Sequence, residues 1–147
     1  MVDALTEDKM ANSPLVARLR VAYVQWSASK GLSSDCWLEL FDDQVSLFSL
    51  ANGARGAKFS KPRCGLEEAR DYFLDVASEW SMNYYNVTDY IEQGNRIVAL
   101  GSTSWTHKET GRRFDTSKVD VWVFEHGRVT KFAEYYDTAK LISAAPR

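Results

Sequence analysis

The spacing of apolar residues changes once along the chain, at Trp80, and that change constrains the fold more than any other feature. Before it, Leu66, Ala69, Tyr72, Phe73, Val76, Ala77 and Trp80 recur at every third or fourth position, with Glu67, Glu68, Arg70, Asp71 and Glu79 largely opposite. That is the stripe of an amphipathic helix. After it the period is two, as in strands. Four such segments, 82–92, 96–107, 114–125 and 128–136, are separated by Gly94-Asn95, Thr110-Gly111 and His126-Gly127. Each pair is a hairpin signal, so this half of the chain predicts an antiparallel meander.

Upstream the reading is mainly helical. Ser13-Pro14 supplies an N-cap and a proline at the first helical position, and Gly31 closes the segment. Between them Leu15, Leu19, Ala22, Tyr23 and Trp26 form one apolar stripe. Ser33 or Ser34 starts a shorter helix through Phe41, and Gln44 to Leu50 reads as a strand ended by Asn52-Gly53. Residues 54–64 read as a loop, and Asp137 or Thr138 caps a short closing helix. Helix, helix, strand, helix and meander make an α+β plan, with helices on one face of a curved sheet.

At 147 residues the chain suits one domain, expected over 13–147 after a flexible N-terminus at 1–12. A net charge of −2, without a basic stripe, argues against nucleic acid as a partner. No run of about 18 apolar residues is present to span a membrane, and with a polar, acidic start no signal peptide is expected. Cys36 and Cys64 are then expected to be free thiols of a cytoplasmic protein. Aromatic residues reach 13%, which points to a large core, an apolar pocket or an interface.

The last two strands are apolar on both faces. Val119, Val121 and Val123 alternate with Asp120, Trp122 and Phe124; Val129, Ala133 and Tyr135 alternate with Phe132, Glu134 and Tyr136. A sheet covered on one side should alternate apolar with polar. Helices cover one face here, and a second copy of the chain is the simplest cover for the other, so a homodimer is expected.

Asp120 and Glu134 stand out on the aromatic face. If the His126-Gly127 turn has three residues, with Gly127 left-handed, both carboxylates share that face; a two-residue turn would slip the register and separate them. An unpartnered buried carboxylate costs several kcal/mol, roughly. Each is therefore either held at a cavity, where it suits acid/base chemistry, or paired with a cation such as Lys118 or Lys131, or near a solvated sheet edge. His107, ending a strand with Thr103 and Trp105 on one face, is a further candidate base, or else an exposed turn histidine. Tyr23 and Trp26 point inward from the first helix. No HExxH, CxxC, Walker A, GxSxG or GxGxxG pattern is present, so no metal or cofactor is expected.

The plan, with VDVWVFEHGRVTKFAEYYDT at 119–138, resembles the nuclear transport factor 2-like superfamily, in its SnoaL-like polyketide cyclase and ketosteroid isomerase branch. The resemblance covers about residues 13 to 142 and implies a cone-shaped curved antiparallel sheet with three helices on its concave face. It puts Asp120 where the isomerase keeps an acid that donates to the substrate oxyanion, close to where the cyclases place an acid/base aspartate. It puts Tyr23 at the isomerase's first-helix tyrosine, and Trp122 and Tyr136 at pocket aromatics. The strand carrying the isomerase's proton-shuttling aspartate reads Gln44-Val45-Ser46-Leu47-Phe48-Ser49 here. Phe48 cannot move a proton, so ketosteroid isomerisation is not the expected reaction.

The expected function is binding of a small, partly apolar, oxygenated molecule in a pocket lined by Trp26, Phe48, Thr103, Trp105, Trp122, Phe132 and Tyr136. Isomerisation, dehydration or cyclisation there would use Asp120 as acid/base, Tyr23 to polarise an oxygen, and Glu134 or His107 as second proton carrier. The alternative is a non-catalytic ligand-binding or protein-interaction module of the same fold.

Overall fold

The computed structural model describes residues 13–147. The flexible segment expected at 1–12 lies outside the described residues. Helix α1 (Pro14–Ala28) starts where Ser13 accepts the Val16 N–H at 3.2 Å. One turn, α2 (Asp35–Leu38), precedes β1 (Phe41–Ser49). The two-residue β2 (Arg63–Cys64) leads into α3 (Gly65–Glu79), which runs without a break into β3 (Trp80–Gln93). Strands β4 (Arg96–His107), β5 (Arg113–Glu125) and β6 (Arg128–Tyr135) complete the meander, and α4 (Thr138–Ala144) closes the chain. The second helix is thus shorter than its sequence suggests. Phe41 is taken instead into β1, where it pairs with Val129 and is buried.

The α+β plan holds: one curved, open sheet of order β2-β1-β6-β5-β4-β3 carries the helices on its inner face. The sheet is mixed, because β1 lies parallel to β6 while the other strand pairs are antiparallel. Inner residues of α1, α2 and α3 share one core with the sheet, centred on Leu19, Trp37, Phe41, Ile97 and Trp122. Leu141 and Ala144 of α4 pack with Phe59, Trp80 and Phe114 in a second cluster.

Period two governs β5 throughout. Phe114, Thr116, Lys118, Asp120, Trp122 and Phe124 are buried, and the residues between them are exposed or half-buried. The β5–β6 turn is the two-residue form: His126 and Gly127 both have positive φ (52° and 78°), and Glu125 pairs with Arg128. By itself that turn would have separated the two carboxylates. A bulge follows, however, since Phe124 pairs with Val129 but Val123 pairs with Lys131. The extra residue, Thr130, restores the register, so Asp120 stands directly opposite Glu134. The same bulge buries Val129, which strict alternation would have turned outward.

On the outer face, Val98, Val121, Ala133 and Phe48 are register neighbours across four strands. Phe48 is 37% exposed and lies 6.0 Å from the Tyr135 ring. It therefore faces away from the interior, correcting its assignment to the pocket; Val45 and Leu47 take the inward positions of β1.

Gly101 in β4 faces the β3 backbone so closely that a Cβ there would lie 1.9 Å from the Asn86 carbonyl oxygen. Relief would require moving two strand backbones. Gly101→Ala is expected to cost about 3 kcal/mol in urea unfolding, at the upper end of ordinary overpacking. A loss below about 1 kcal/mol would mean that the β3–β4 ladder yields freely.

Candidate functional site

Between α1, α2, α3 and the inner sheet face lies a cavity holding about 740 Å³ of space free of protein atoms, its mouth included. About 70 Å³ of this is open to the centres of water-sized molecules, against roughly 10–15 Å³ needed for one water. The volume suits a small organic molecule. Trp26, Trp37, Phe73, Trp80, Trp105 and Phe114 supply much of the wall.

One end is polar, and its organisation follows from strand parity. Lys118 and Asp120 project inward from β5, Glu134 from the facing position of β6, Tyr85 from β3, Tyr23 from α1 and Tyr72 from α3. The Lys118 ammonium donates to Asp120 Oδ1 and to the Tyr85 hydroxyl, each at 2.7 Å, and forms an ion pair with Glu134 Oε1 at 3.0 Å. Tyr23 and Tyr85 both donate to Asp120 Oδ2, at 2.5 and 2.6 Å. Tyr72 donates to Glu134 Oε2 at 2.8 Å, and the Trp122 indole donates to Tyr23 at 3.0 Å. Lys118, Asp120 and Glu134 are 8%, 2% and 4% exposed, so bulk water screens these bonds little.

Burial, reinforced by Asp120, pushes the Tyr23 and Tyr85 phenols well above the ordinary tyrosine value, and burial with Glu134 does the same for Tyr72. Burial alone would lower the Lys118 value, but Asp120 and Glu134 outweigh it and hold the ammonium above the usual lysine range. Tyr136 is pushed up to about 12, by burial and then by Glu134. All these groups bind protons more tightly folded than unfolded. Their stabilisation is complete below the unfolded tyrosine value near 10 and is lost as pH rises beyond it. In an alkaline titration followed at 295 nm, Tyr23, Tyr72 and Tyr85 should therefore ionise only together with loss of the circular dichroism signal. Reversible ionisation of all three near pH 10 in the folded protein would refute the network.

Asp120, Tyr23 and Glu134 thus meet at one end of the cavity, and Trp26, Thr103, Trp105, Trp122, Phe132 and Tyr136 line it. Two expectations are corrected. His107 is 2% exposed, neither an exposed turn histidine nor part of the lining. It packs edge-on behind Trp80 at 4.6 Å, its Nδ1 accepts the Glu109 N–H, and its Nε2 lies 3.7 Å from Glu79. Asp120 accepts at both oxygens, so it is no donor to an oxyanion, and the Tyr23 hydrogen is directed at Asp120 instead of outward. The sequence reading offered Lys118 only as a carboxylate partner and left Tyr72 and Tyr85 out of the site. Parity alone could have found Lys118, two residues from Asp120, whereas Tyr85 is aimed by a bulged strand that sequence does not reveal. Among the described residues no group of three or more His, Cys, Asp or Glu side chains could hold a metal ion, and no helix is long and apolar enough to cross a membrane.

A family model for the SnoaL-like domain matches residues 22–132. No curated protein matches the sequence. Solved structures do match the fold. A nuclear transport factor 2-like protein of unknown function from Burkholderia pseudomallei is 22% identical with a TM-score of 0.75, over 92% of this chain and all of that one. TerC, co-crystallised with polyporic acid, is 17% identical with a TM-score of 0.75, over 90% of this chain and 98% of its own. A protein with a ketosteroid isomerase-like fold from Catenulispora acidiphila, in complex with trimethylamine, is 12% identical with a TM-score of 0.68, over 84% and 91%. At these identities the likeness concerns the fold.

Proposed function

The chain belongs to the SnoaL-like domain family, and from that premise we propose that its aromatic cavity binds a small, largely apolar molecule with a proton-bearing head group and catalyses proton transfer on it. The observation that carries this reading is the polar end, where two buried carboxylates meet one lysine inside a largely aromatic cavity. Fold neighbours crystallised with polyporic acid and with trimethylamine are consistent with small-molecule binding. A carboxylate accepts about four hydrogen bonds. Asp120 receives three, whereas Glu134 receives one from Tyr72 beside its ion pair with Lys118, so Glu134 keeps the larger capacity to take a proton from a ligand. Asp120 is the hub that holds Lys118, Tyr23 and Tyr85 in place, and Tyr72 orients Glu134. The reaction class is isomerisation, dehydration or cyclisation, with no cofactor, in the cytoplasm, where Cys36 and Cys64 remain free thiols.

Mass spectrometry of molecules retained by the purified protein would identify the ligand, and its C–H exchange in D₂O would test the chemistry. Wild type should exchange about 10²–10⁴ times faster than Glu134→Gln, the usual range for a positioned base. Binding without exchange would instead favour a non-catalytic ligand-binding module, a reading supported by the internal satisfaction of the network.

The apolar row Val98, Val121, Ala133 and Phe48 supports a homodimer through the outer sheet face. Sedimentation at micromolar concentration should give a dimer, and Val121→Lys a monomer, because it places a charge in that row. A monomeric wild type would end the dimer reading.

A further inference from the structure

Resting on that reading of the cavity, we infer that its ligand carries a positively charged nitrogen, an organic ammonium group seated against Glu134 with its apolar part among the aromatic rings. Three observations converge. The first is charge. Lys118, Asp120 and Glu134 are the only residues of the cavity lining with formal charge, so one cation stands between two anions. The nearby Arg63, Lys58, Asp75 and Glu79 pair among themselves, at 2.6 Å for Arg63–Asp75 and 3.6 Å for Lys58–Glu79. Arg20 lies at the exposed surface of α1, over the Tyr90 ring at 4.7 Å. The cavity is one positive charge short, and a buried surplus charge is costly until something neutralises it.

The second observation is the count of hydrogens. The Tyr23, Tyr72 and Tyr85 phenols each direct their hydrogen at a carboxylate, and the Lys118 ammonium donates to Asp120 and Tyr85 while pairing with Glu134. Thr103 donates to the Tyr84 carbonyl and Thr116 to the Ser117 carbonyl. What the cluster has left to offer is acceptor capacity, mostly on Glu134, and the matching partner is a donor. A carbonyl or a carboxylate head group would find no free phenol hydrogen in the cluster; the unpartnered buried donor of the lining is the Trp80 indole N–H, in the aromatic wall. The third observation is the wall. Faces of Trp, Phe and Tyr attract cations, more strongly when both are desolvated. One head group satisfies all three conditions.

Three probes with the same ring and nearly the same length separate the head-group charges: 2-phenylethylamine, which is an ammonium at pH 7, 2-phenylethanol and phenylacetate. Affinities would come from titration calorimetry. Upfield shifts of the probe methylene protons would place each bound probe among the rings. The amine should bind at least about tenfold more tightly than the alcohol, with phenylacetate weakest. In Glu134→Gln the amine's advantage should fall to about threefold or less, because that variant removes the surplus charge. The inference fails if the alcohol or phenylacetate binds as tightly as the amine, if the bound amine shows no upfield shift, or if its advantage survives in a folded Glu134→Gln. The wild-type comparison decides the matter alone should that variant not fold. If the alcohol binds in the cavity without an amine preference, only the charge assignment falls. If no probe enters, the cavity reading falls as well.

Discussion

Replacing Lys118 with methionine is expected to cost about 3–5 kcal/mol in urea unfolding at pH 7, the range for removing one partner of a buried ion pair. Methionine keeps much of the side chain's length and removes the charge. Asp120 and Glu134, directly opposite each other across β5 and β6, would then repel with no cation between them. Tyr85 would also lose the ammonium that donates to its hydroxyl. Against a total stability of about 5–15 kcal/mol for a domain of this kind, such a loss approaches unfolding. Restoring neutrality by adding Glu134→Gln and Asp120→Asn to Lys118→Met should recover most of it. A deficit below about 1 kcal/mol would show that water reaches the cluster and relieves the charges.

The parts of this molecule that follow from local rules were legible in the sequence. The α1 and α3 stripes and the four meander strands are all present, because helical and strand periods are properties of short windows. Asp120 faces inward for the same reason. What local rules do not contain is register between strands. Whether Glu134 joins Asp120 was left to the length of one turn. The turn found is the form that would have parted them, and the bulge at Thr130 reverses the outcome. Phe48 was misassigned because β1 joins the sheet in parallel beside β6, so its face is fixed by a distant strand and not by its own neighbours. His107 has the inward parity of Thr103 and Trp105, yet Trp80, its pairing partner, fills the space toward the cavity. The composition figure for aromatic residues was informative in bulk, since rings form both the core and much of the cavity wall.

The isosteric variants Glu134→Gln and Asp120→Asn should behave differently, although each removes one buried negative charge beside the same lysine. Glu134→Gln leaves Lys118 paired with Asp120 alone, a neutral combination. The amide oxygen can still accept from Lys118, and its NH₂ can donate to the Tyr72 hydroxyl if that phenol turns to accept. Removal of surplus buried charge offsets what is lost, so stability should change by less than about 1 kcal/mol or rise. Asp120→Asn acts on a hub. Oδ2 receives Tyr23 and Tyr85, and Oδ1 receives Lys118. Whichever way the amide is placed, its NH₂ meets either two donating phenols or an ammonium. At least one buried donor is left without an acceptor, at about 1–3 kcal/mol each and more for a charged one. Tyr23 cannot turn freely, because its oxygen already accepts from Trp122. Asp120→Asn should therefore destabilise by about 3 kcal/mol, while Glu134→Gln keeps the fold and loses ligand binding or turnover. Urea unfolding of the two variants, with the retained ligand measured in each, checks this directly. Equal losses of stability would mean that the two carboxylates share one structural role, and the division into a hub and a reactive acceptor would fail.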